Sequence, residues 1–395
     1  MNRERGRADA LRANIWKLNL IQACRWFLLL MPVLVLFYQE NGLSLHDVFR
    51  VQAFYSVCVI VFEVPSGYLA DRLGRRRSML AGVLCAAAGF WVYAFSTALP
   101  HFLAAQFCIA LGASLISGSD AALLYDTLIE LDRQDEYQKR AGRLGSIGNF
   151  SEGVAGLVGG LLALVSLRTP LYGQALVVLA AVPLVWSLVE PGRHRAVQAP
   201  PSMLGVVRYA LHGDAEVKWL ILYSSLVGTS TLTVVWLVQP YLKEAGLALA
   251  YFGAAWALLQ FSVGFFSYHA HRIEGWLGRR AALVALIPLS GAAYLALGHF
   301  QSLWAAVFLL VFYLVRGVNG PVLGDYINRQ VDSQVRATVL SVKSLVGRLM
   351  FAGLGPAVGW ASDAYSLATA FSGCGVFFLL CGVFFLWRLR RNGVL

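Results

Sequence analysis

Apolar runs of about twenty residues recur along the whole chain, and that repeat constrains the fold more than any other feature of the sequence. A helix needs roughly 20 apolar residues to cross the hydrocarbon of a bilayer. Lipid offers the backbone no hydrogen bonds, so a spanning segment is a helix or part of a closed barrel. Barrel strands would be short and alternating, whereas these runs are long and uniformly apolar. Of the 395 residues, 58% are hydrophobic and 13% charged, against roughly 25% charged in a soluble domain. The chain therefore reads as an all-α membrane protein with twelve transmembrane helices in two six-helix bundles. The spans lie near 14–38, 48–70, 78–98, 102–126, 143–165, 170–189, 217–241, 247–271, 280–299, 302–327, 338–361 and 366–388.

The polar stretch 190–216, with Pro191, Pro200 and Pro201, separates the spans six and six. The sequence thus divides into an N-terminal bundle (1–189), a central cytoplasmic loop (190–216) and a C-terminal bundle (217–395). Basic residues mark the cytoplasmic side of a membrane protein. With both termini placed inside, 25 of the 32 Lys and Arg fall on that face, and only Arg50, Arg168 and Lys243 fall opposite. The remaining four lie within spans. The net charge of +11 is dispersed over loops in this way, so it reports topology and not nucleic-acid binding. The basic N-terminus leads into a span of full membrane length, which does not read as a cleavable signal peptide. The expected location is the inner (plasma) membrane, and the expected state is a monomer.

Between spans 2 and 3 the chain reads Gly67-x-Leu69-Ala70-Asp71-Arg72-x-Gly74-Arg75-Arg76. The positive-inside rule accounts for the arginines but not for this spacing of Gly, Asp and Arg. The pattern resembles the signature loop of the major facilitator superfamily, and twelve spans in two halves agree with it. The resemblance implies two bundles related by a pseudo-two-fold axis, with spans 1, 4, 7 and 10 lining a cavity that opens alternately to either side. It also implies a conformational latch on the cytoplasmic face, made by Gly67, Asp71, Gly74, Arg75 and an acidic partner at the end of span 4, Asp126. Other stretches are similar to the twelve-helix drug–proton antiporters. Gly159 and Gly160 stand in span 5 without the antiporters' proline, and Gly355, Pro356 and Gly359 in span 11. The antiporter arginine of span 4 is missing, because Cys108 precedes Gly112 by four residues.

Charges inside spans are costly and normally face a bundle interior. They are Arg25, Glu63, Asp120, Glu152, Arg316, Lys343 and Arg348. At ~1.5 Å rise per residue, Arg25, Arg316 and Arg348 sit roughly 15–17 Å from the inner ends of their spans, and Glu63, Asp120 and Glu152 roughly 9–14 Å from theirs. Arginine binds carboxylate or phosphate through paired hydrogen bonds. Arg25 and Arg316, on spans that line the cavity by resemblance, point to an anionic or zwitterionic substrate. Asn19, Gln22, Asp120, Trp236, Tyr313 and Asn319 complete the candidate binding residues, and Asp120 or Glu152 is the candidate proton-coupling site. A structural reading instead treats Glu63, Lys343 and Arg348 as buried ion pairs.

The six cysteines lie inside spans without a Cys-x-x-Cys motif, which argues against disulfides and zinc. No phosphate-binding glycine loop and no catalytic triad is visible, so neither an ATP-driven pump nor an enzyme is expected, and no cofactor or metal is implied. The resulting reading is a secondary active transporter that exports a small organic molecule in exchange for protons. Proton-coupled uptake is the alternative, and a lipid flippase or a transporter-like sensor is the alternative from another class.

Overall fold

The computed structural model describes residues 2–192, 213–331 and 336–394, and these are helical almost throughout, with no strand among them. The helices are α1 (Asn2–Trp26), α2 (Leu34–Glu40), α3 (Leu45–Leu73), α4 (Arg75–Phe95), α5 (Leu99–Ile116), α6 (Ser119–Glu130), α7 (Tyr137–Ala163) and α8 (Thr169–Trp186). They continue as α9 (Ala215–Glu244), α10 (Phe252–Leu277), α11 (Arg279–His299), α12 (Leu309–Arg329), α13 (Arg336–Ala364) and α14 (Leu367–Arg391). Most of the central loop, 193–212, lies outside the described residues.

Among the described residues, nine helical segments are long and apolar enough to cross a bilayer, counting Leu99–Glu130 as one. Helices α1, α7 and α13, at 25, 27 and 29 residues, have the length but are not among the nine. They hold spans 1, 5 and 11, and they concentrate charge, with Arg25 in α1, Glu152 in α7, and Lys343 and Arg348 in α13. The departure from uniform apolarity thus falls on helices singled out for in-span charges.

The described residues form two compact units. The first holds the chain up to Gly42, the part from Phe54 to the central break, and Leu249–Ala257. The second holds Leu43–Ala53, the part from the central break to Ala248, and everything from Leu258 onward. In the first unit α4 packs against α5 and α8, and α1 against α7 and α8. An aromatic knot of Tyr38, Tyr93 and Phe102, with ring centroids 5.0–5.7 Å apart, fills one end. Arg168 ties that end together by donating to the carbonyls of Ala94 and Ser96 and to Asn41 Oδ1.

In the second unit α9 is the central helix, with almost all of its side chains between Trp219 and Leu242 buried. It packs against α12, α13 and α14. Its buried tyrosine Tyr223 donates to the carbonyl of Leu283 at 2.5 Å, and Tyr294 of α11 donates to the carbonyl of Ser230 at 2.6 Å. A buried hydroxyl needs such a partner, because leaving it unpaired costs about 1–3 kcal/mol. The first turn of α3 belongs to this unit, and its free amides at Leu45 and His46 donate to the Asp363 carboxylate at 3.1 and 2.7 Å.

Candidate functional site

Two of the expected spans are not continuous helices. Span 1 stops at Trp26 and resumes at Leu34. Pro32 lies in the gap, where it supplies no amide and disfavours helix for the residue before it. The gap is stitched by short turns, with Leu29 N donating to Phe27 O and Met31 N to Leu28 O, both at 3.2 Å. Leu29 N also donates to Gln174 Oε1 of α8 at 2.8 Å. Its carbonyl runs so close to α7 that a Cβ on Gly159 would lie 1.9 Å from Leu29 O. Only glycine permits that approach.

Span 4 breaks between Ile116 and Ser119. Ser117 is extended, with ψ 135°, and Gly118 has φ +80°, a conformation that costs other residues roughly 1–2 kcal/mol. The Ser-Gly-Ser sequence therefore ends one helix and starts another. Both breaks lie in the first unit, and interrupted helices are a recurrent feature of transporter binding sites.

Each break sets a charge. Arg25 is in the last turn of α1 and Asp120 in the first turn of α6. The Arg25 guanidinium donates to Asp120 Oδ2 at 2.6 Å, and about a quarter of each side chain is exposed. The second carboxylate oxygen, Oδ1, accepts from Ala121 N at 2.6 Å. Asp120 thus stands at the amide end of α6, which carries partial positive charge. Gln22 Oε1 is a longer acceptor for Arg25, at 3.5 Å. The sequence reading put Arg25 several ångströms deeper than Asp120. The pair closes that gap through the length of the arginine side chain.

Beside the pair lies a cavity of about 200 Å³ within the first unit. Leu28, Val83, Phe90, Ile109, Ile116 and Val178 are among its walls, with Tyr55 and Trp26 as aromatic members. Among the described residues Arg25 is its only charged wall, and Asp120 does not line it. Asn19 faces elsewhere, into a more open cleft of about 710 Å³ with Trp16, Arg143, Ser146 and Phe150. Among the helix-1 candidates, the structure thus sends Arg25 and Asn19 to different cavities. Among the described residues no cluster of His, Cys, Asp and Glu could hold a metal ion.

The signature loop forms the turn between α3 and α4. Gly74 takes φ +102°, which the tight turn requires. No atom lies within 4 Å of a Cβ built on Gly67, so close packing is not the reason for glycine there. Arg75 donates to the buried Asp126 carboxylate of α6 and, at 2.5 Å, to the carbonyl of Ala122. Asp71 is exposed in the last turn of α3.

A residue that sequence reasoning left in the loop proves central to this turn. Glu190 Oε1 accepts from Arg75 N at 2.7 Å, and Oε2 from Arg76 N at 2.9 Å. The N-cap Gly74 has no side chain to do this. Three arginines at an amide end carry the wrong sign for the helix dipole, and Glu190 and Asp126 offset them. The segment around Glu190 is itself clasped. Asn14 exchanges two hydrogen bonds with the backbone of Val189, at 2.8 and 3.0 Å. Lys17 donates to Ser187 O at 2.6 Å, and Glu130 accepts from Gly192 N at 2.7 Å. No motif signals this clasp. In the turn after α6, the guanidiniums of Arg133 and Arg140 hold the Glu136 carboxyl below its usual range.

The other candidates are distributed through the two units. Glu152 is buried on α7, and Glu63 is half-buried on α3. In the second unit Asn319 Oδ1 accepts from Ser224 Oγ at 3.1 Å, joining α12 to α9. Tyr313 is buried on α12, and the buried indole nitrogen of Trp236 on α9 has no hydrogen-bond partner among the described residues. Arg316, Lys343 and Arg348 are half-buried, and no ion pair joins any of them to another described residue of that unit. The structure therefore groups Arg25 with Asp120 and Gln22, groups Gly74 with Arg75 and Asp126, and leaves the second-unit candidates as separate placements.

Residues 18–356 match the family model of the Major Facilitator Superfamily. The chain belongs to that superfamily. Membership accounts for the helical fold and makes the chain an integral membrane transporter of small substrates, not an enzyme. Two superfamily relatives are the class H tetracycline resistance protein of Pasteurella multocida and the class G protein of Vibrio anguillarum. The first is 24% identical over 351 residues, 82% of this chain and 84% of the relative. The second is 22% identical over 319 residues, 76% of this chain and 78% of the relative. Among solved superfamily folds, the nucleoside transporter NupG aligns with a TM-score of 0.76 at 14% identity, covering 97% of this chain and 98% of that one. The POT family transporter PepTSo aligns at 0.77 and 14% identity, covering 96% and 98%.

Proposed function

We propose that the chain is a proton-coupled transporter of a small organic molecule bearing one anionic group, working by alternating access in the inner membrane as a monomer with both termini cytoplasmic. Arg25 is the anion contact and Asp120 the proton site. The observation that carries this reading is the 2.6 Å Arg25–Asp120 pair, set at the breaks of two helices beside an otherwise uncharged cavity. A guanidinium at such a place recognises carboxylate, phosphate or sulfonate, and the apolar walls suit an apolar body. Arg316 is proposed as an anion contact of the second unit in its own right. Gly74, Arg75 and Asp126, with Asp71 and Gly67, are proposed as the latch of the cycle.

Export in exchange for protons is a second reading. Two relatives are named for resistance to a drug, and a transporter gives resistance by carrying the drug outward.

Proteoliposomes tested against a metabolite panel, under pH gradients of either sign and beside protein-free liposomes, decide the matter. Anionic solutes should accumulate only with protein and only while the gradient lasts. Asp120→Asn should lose gradient-driven accumulation and keep exchange. A preference for lipophilic cations, undiminished in Arg25→Gln, would overturn the proposal.

A further inference from the structure

We infer that the Arg25–Asp120 pair fixes the sign of coupling: a proton on Asp120 frees Arg25 for an organic monoanion in the cavity, so proton and anion bind together and cross in the same direction. The inference rests on the reading of Arg25 as the anion contact.

Geometry separates the two partners. Arg25 is part of the cavity wall and Asp120 is not. A ligand in the cavity therefore meets the guanidinium first. With Asp120 ionised, both of its oxygens are engaged, one on Arg25 and one on Ala121 N. The pair is then neutral, and an entering anion gains little from a guanidinium whose charge is already cancelled. Protonation removes the negative charge and leaves Arg25 with Gln22 as its neutral acceptor. The cavity wall then carries an uncompensated positive charge, which an anion satisfies.

Among the described residues, the ion-pair partner of Asp120 is Arg25; other charged and titratable groups stand on the elements packed against α6. Helix α1 contributes Arg25 and Gln22. Helix α4 contributes Arg75, held on Asp126, and Arg76. Helix α5 carries no Asp, Glu, Lys or Arg. Helix α7 contributes Tyr137, a neutral phenol within electrostatic reach of Asp120, and also carries Lys139, Arg140, Arg143 and the buried Glu152. The turn after α6 contributes Asp135 and Glu136, the latter held by Arg133 and Arg140.

Coupling between two binding events is reciprocal. If the proton raises affinity for the anion, the anion raises affinity for the proton by the same factor. The populated states are then doubly loaded or empty, which is the condition for co-transport. Exchange of a substrate for protons needs the opposite sign, and so a ligand that displaces the proton from Asp120 itself. A cation would do that, but the cavity does not present Asp120 to it.

Benzenesulfonate is a suitable probe because it stays ionised at all working pH values, so any pH dependence belongs to the protein. Binding to the purified full-length chain is measured by calorimetry between pH 6 and 8, with uncharged benzenesulfonamide as control. Parent affinity should rise as pH falls, approaching a tenfold change per pH unit, with up to one proton taken up per anion. Asp120→Asn, which keeps an oxygen for Ala121 N, should bind at least as tightly as the parent at pH 6 and lose the pH dependence. Arg25→Gln should bind at least tenfold more weakly at pH 6. The parent profile needs no variant to fold. If Arg25→Gln binds as the parent does, or no sample binds the probe, the underlying reading fails and the inference with it. If Arg25→Gln abolishes binding while parent affinity is flat or rises with pH, the anion site stands and the sign of coupling is refuted.

Discussion

Replacing Glu190 should loosen the start of α4 more than any surface charge in the first unit. Its two oxygens hold the amides of Arg75 and Arg76 at 2.7 and 2.9 Å, and the N-cap residue Gly74 supplies no side-chain cap. Loss of a capping oxygen costs about 0.5–2 kcal/mol, and loss of a negative charge at an amide end a further 0.3–1 kcal/mol or so. Glu190 is half-buried, so solvent screens part of this. Glu190→Gln keeps one neutral acceptor and should cost about 1 kcal/mol, whereas Glu190→Ala should cost about 2 kcal/mol. Hydrogen–deuterium exchange of a peptide covering residues 74–78 reads this directly. At about 1.4 kcal/mol per tenfold change, exchange should quicken about fivefold in the first variant and about thirtyfold in the second. Asp9→Asn breaks only the exposed pair with Arg12 and should leave these amides unchanged, because such pairs contribute at most about 1 kcal/mol, and locally. Equal exchange in Glu190→Ala and the parent would refute the capping role.

Four further outcomes are expected. Gly159→Ala should fail to fold or lose at least about 3 kcal/mol by thermal denaturation, since its methyl would sit 1.9 Å from the Leu29 carbonyl and overpacking of 1–3 kcal/mol or so is typical for milder clashes. Asp71→Asn should shift distances between spin labels on the latch side of α6 and α12 toward the open state; an unchanged distribution with intact transport would remove Asp71 from the latch. Arg316→Gln should weaken anion binding about tenfold, or 1.4 kcal/mol, and Arg316→Lys should restore it only in part. The Glu136 pairs should contribute stability at and above the usual glutamate range and lose it as pH falls below that range, through the lowered folded-state value; the difference in stability between parent and Glu136→Gln should therefore vanish in strong acid.

Much of the fold was legible because lipid leaves the backbone so few choices. Apolar run length located most of the helices to within a few residues, although α1 begins at Asn2 and α7 at Tyr137, well before the expected starts at 14 and 143, and one loop, from Gly67 to Arg76, carried the family. The breaks in spans 1 and 4 were written in Pro32 and in Ser117-Gly118-Ser119. A run-length reading passes over them because the flanking residues stay apolar. The Arg25–Asp120 contact was harder to see. Depth along a helix axis ignores how far a long arginine side chain reaches, and it ignores the turn of the chain at Gly118. Glu190 was invisible for another reason. Its partners are backbone amides, which every residue has, so no spacing in the sequence could announce them. The in-span charges drew attention to the helices that carry Arg25 and Asp120, but periodicity alone could not say that Arg25 and Asn19 face different cavities.

The central claim is that Arg25 and Asp120 bind an organic anion together with a proton. It is tested most directly in proteoliposomes that enclose a pH dye and receive an inward gradient of benzenesulfonate without any imposed pH gradient. The interior should acidify with the parent protein, and should not with Asp120→Asn, Arg25→Gln or protein-free liposomes. Alkalinisation with the parent, or equal acidification with Asp120→Asn, would contradict it.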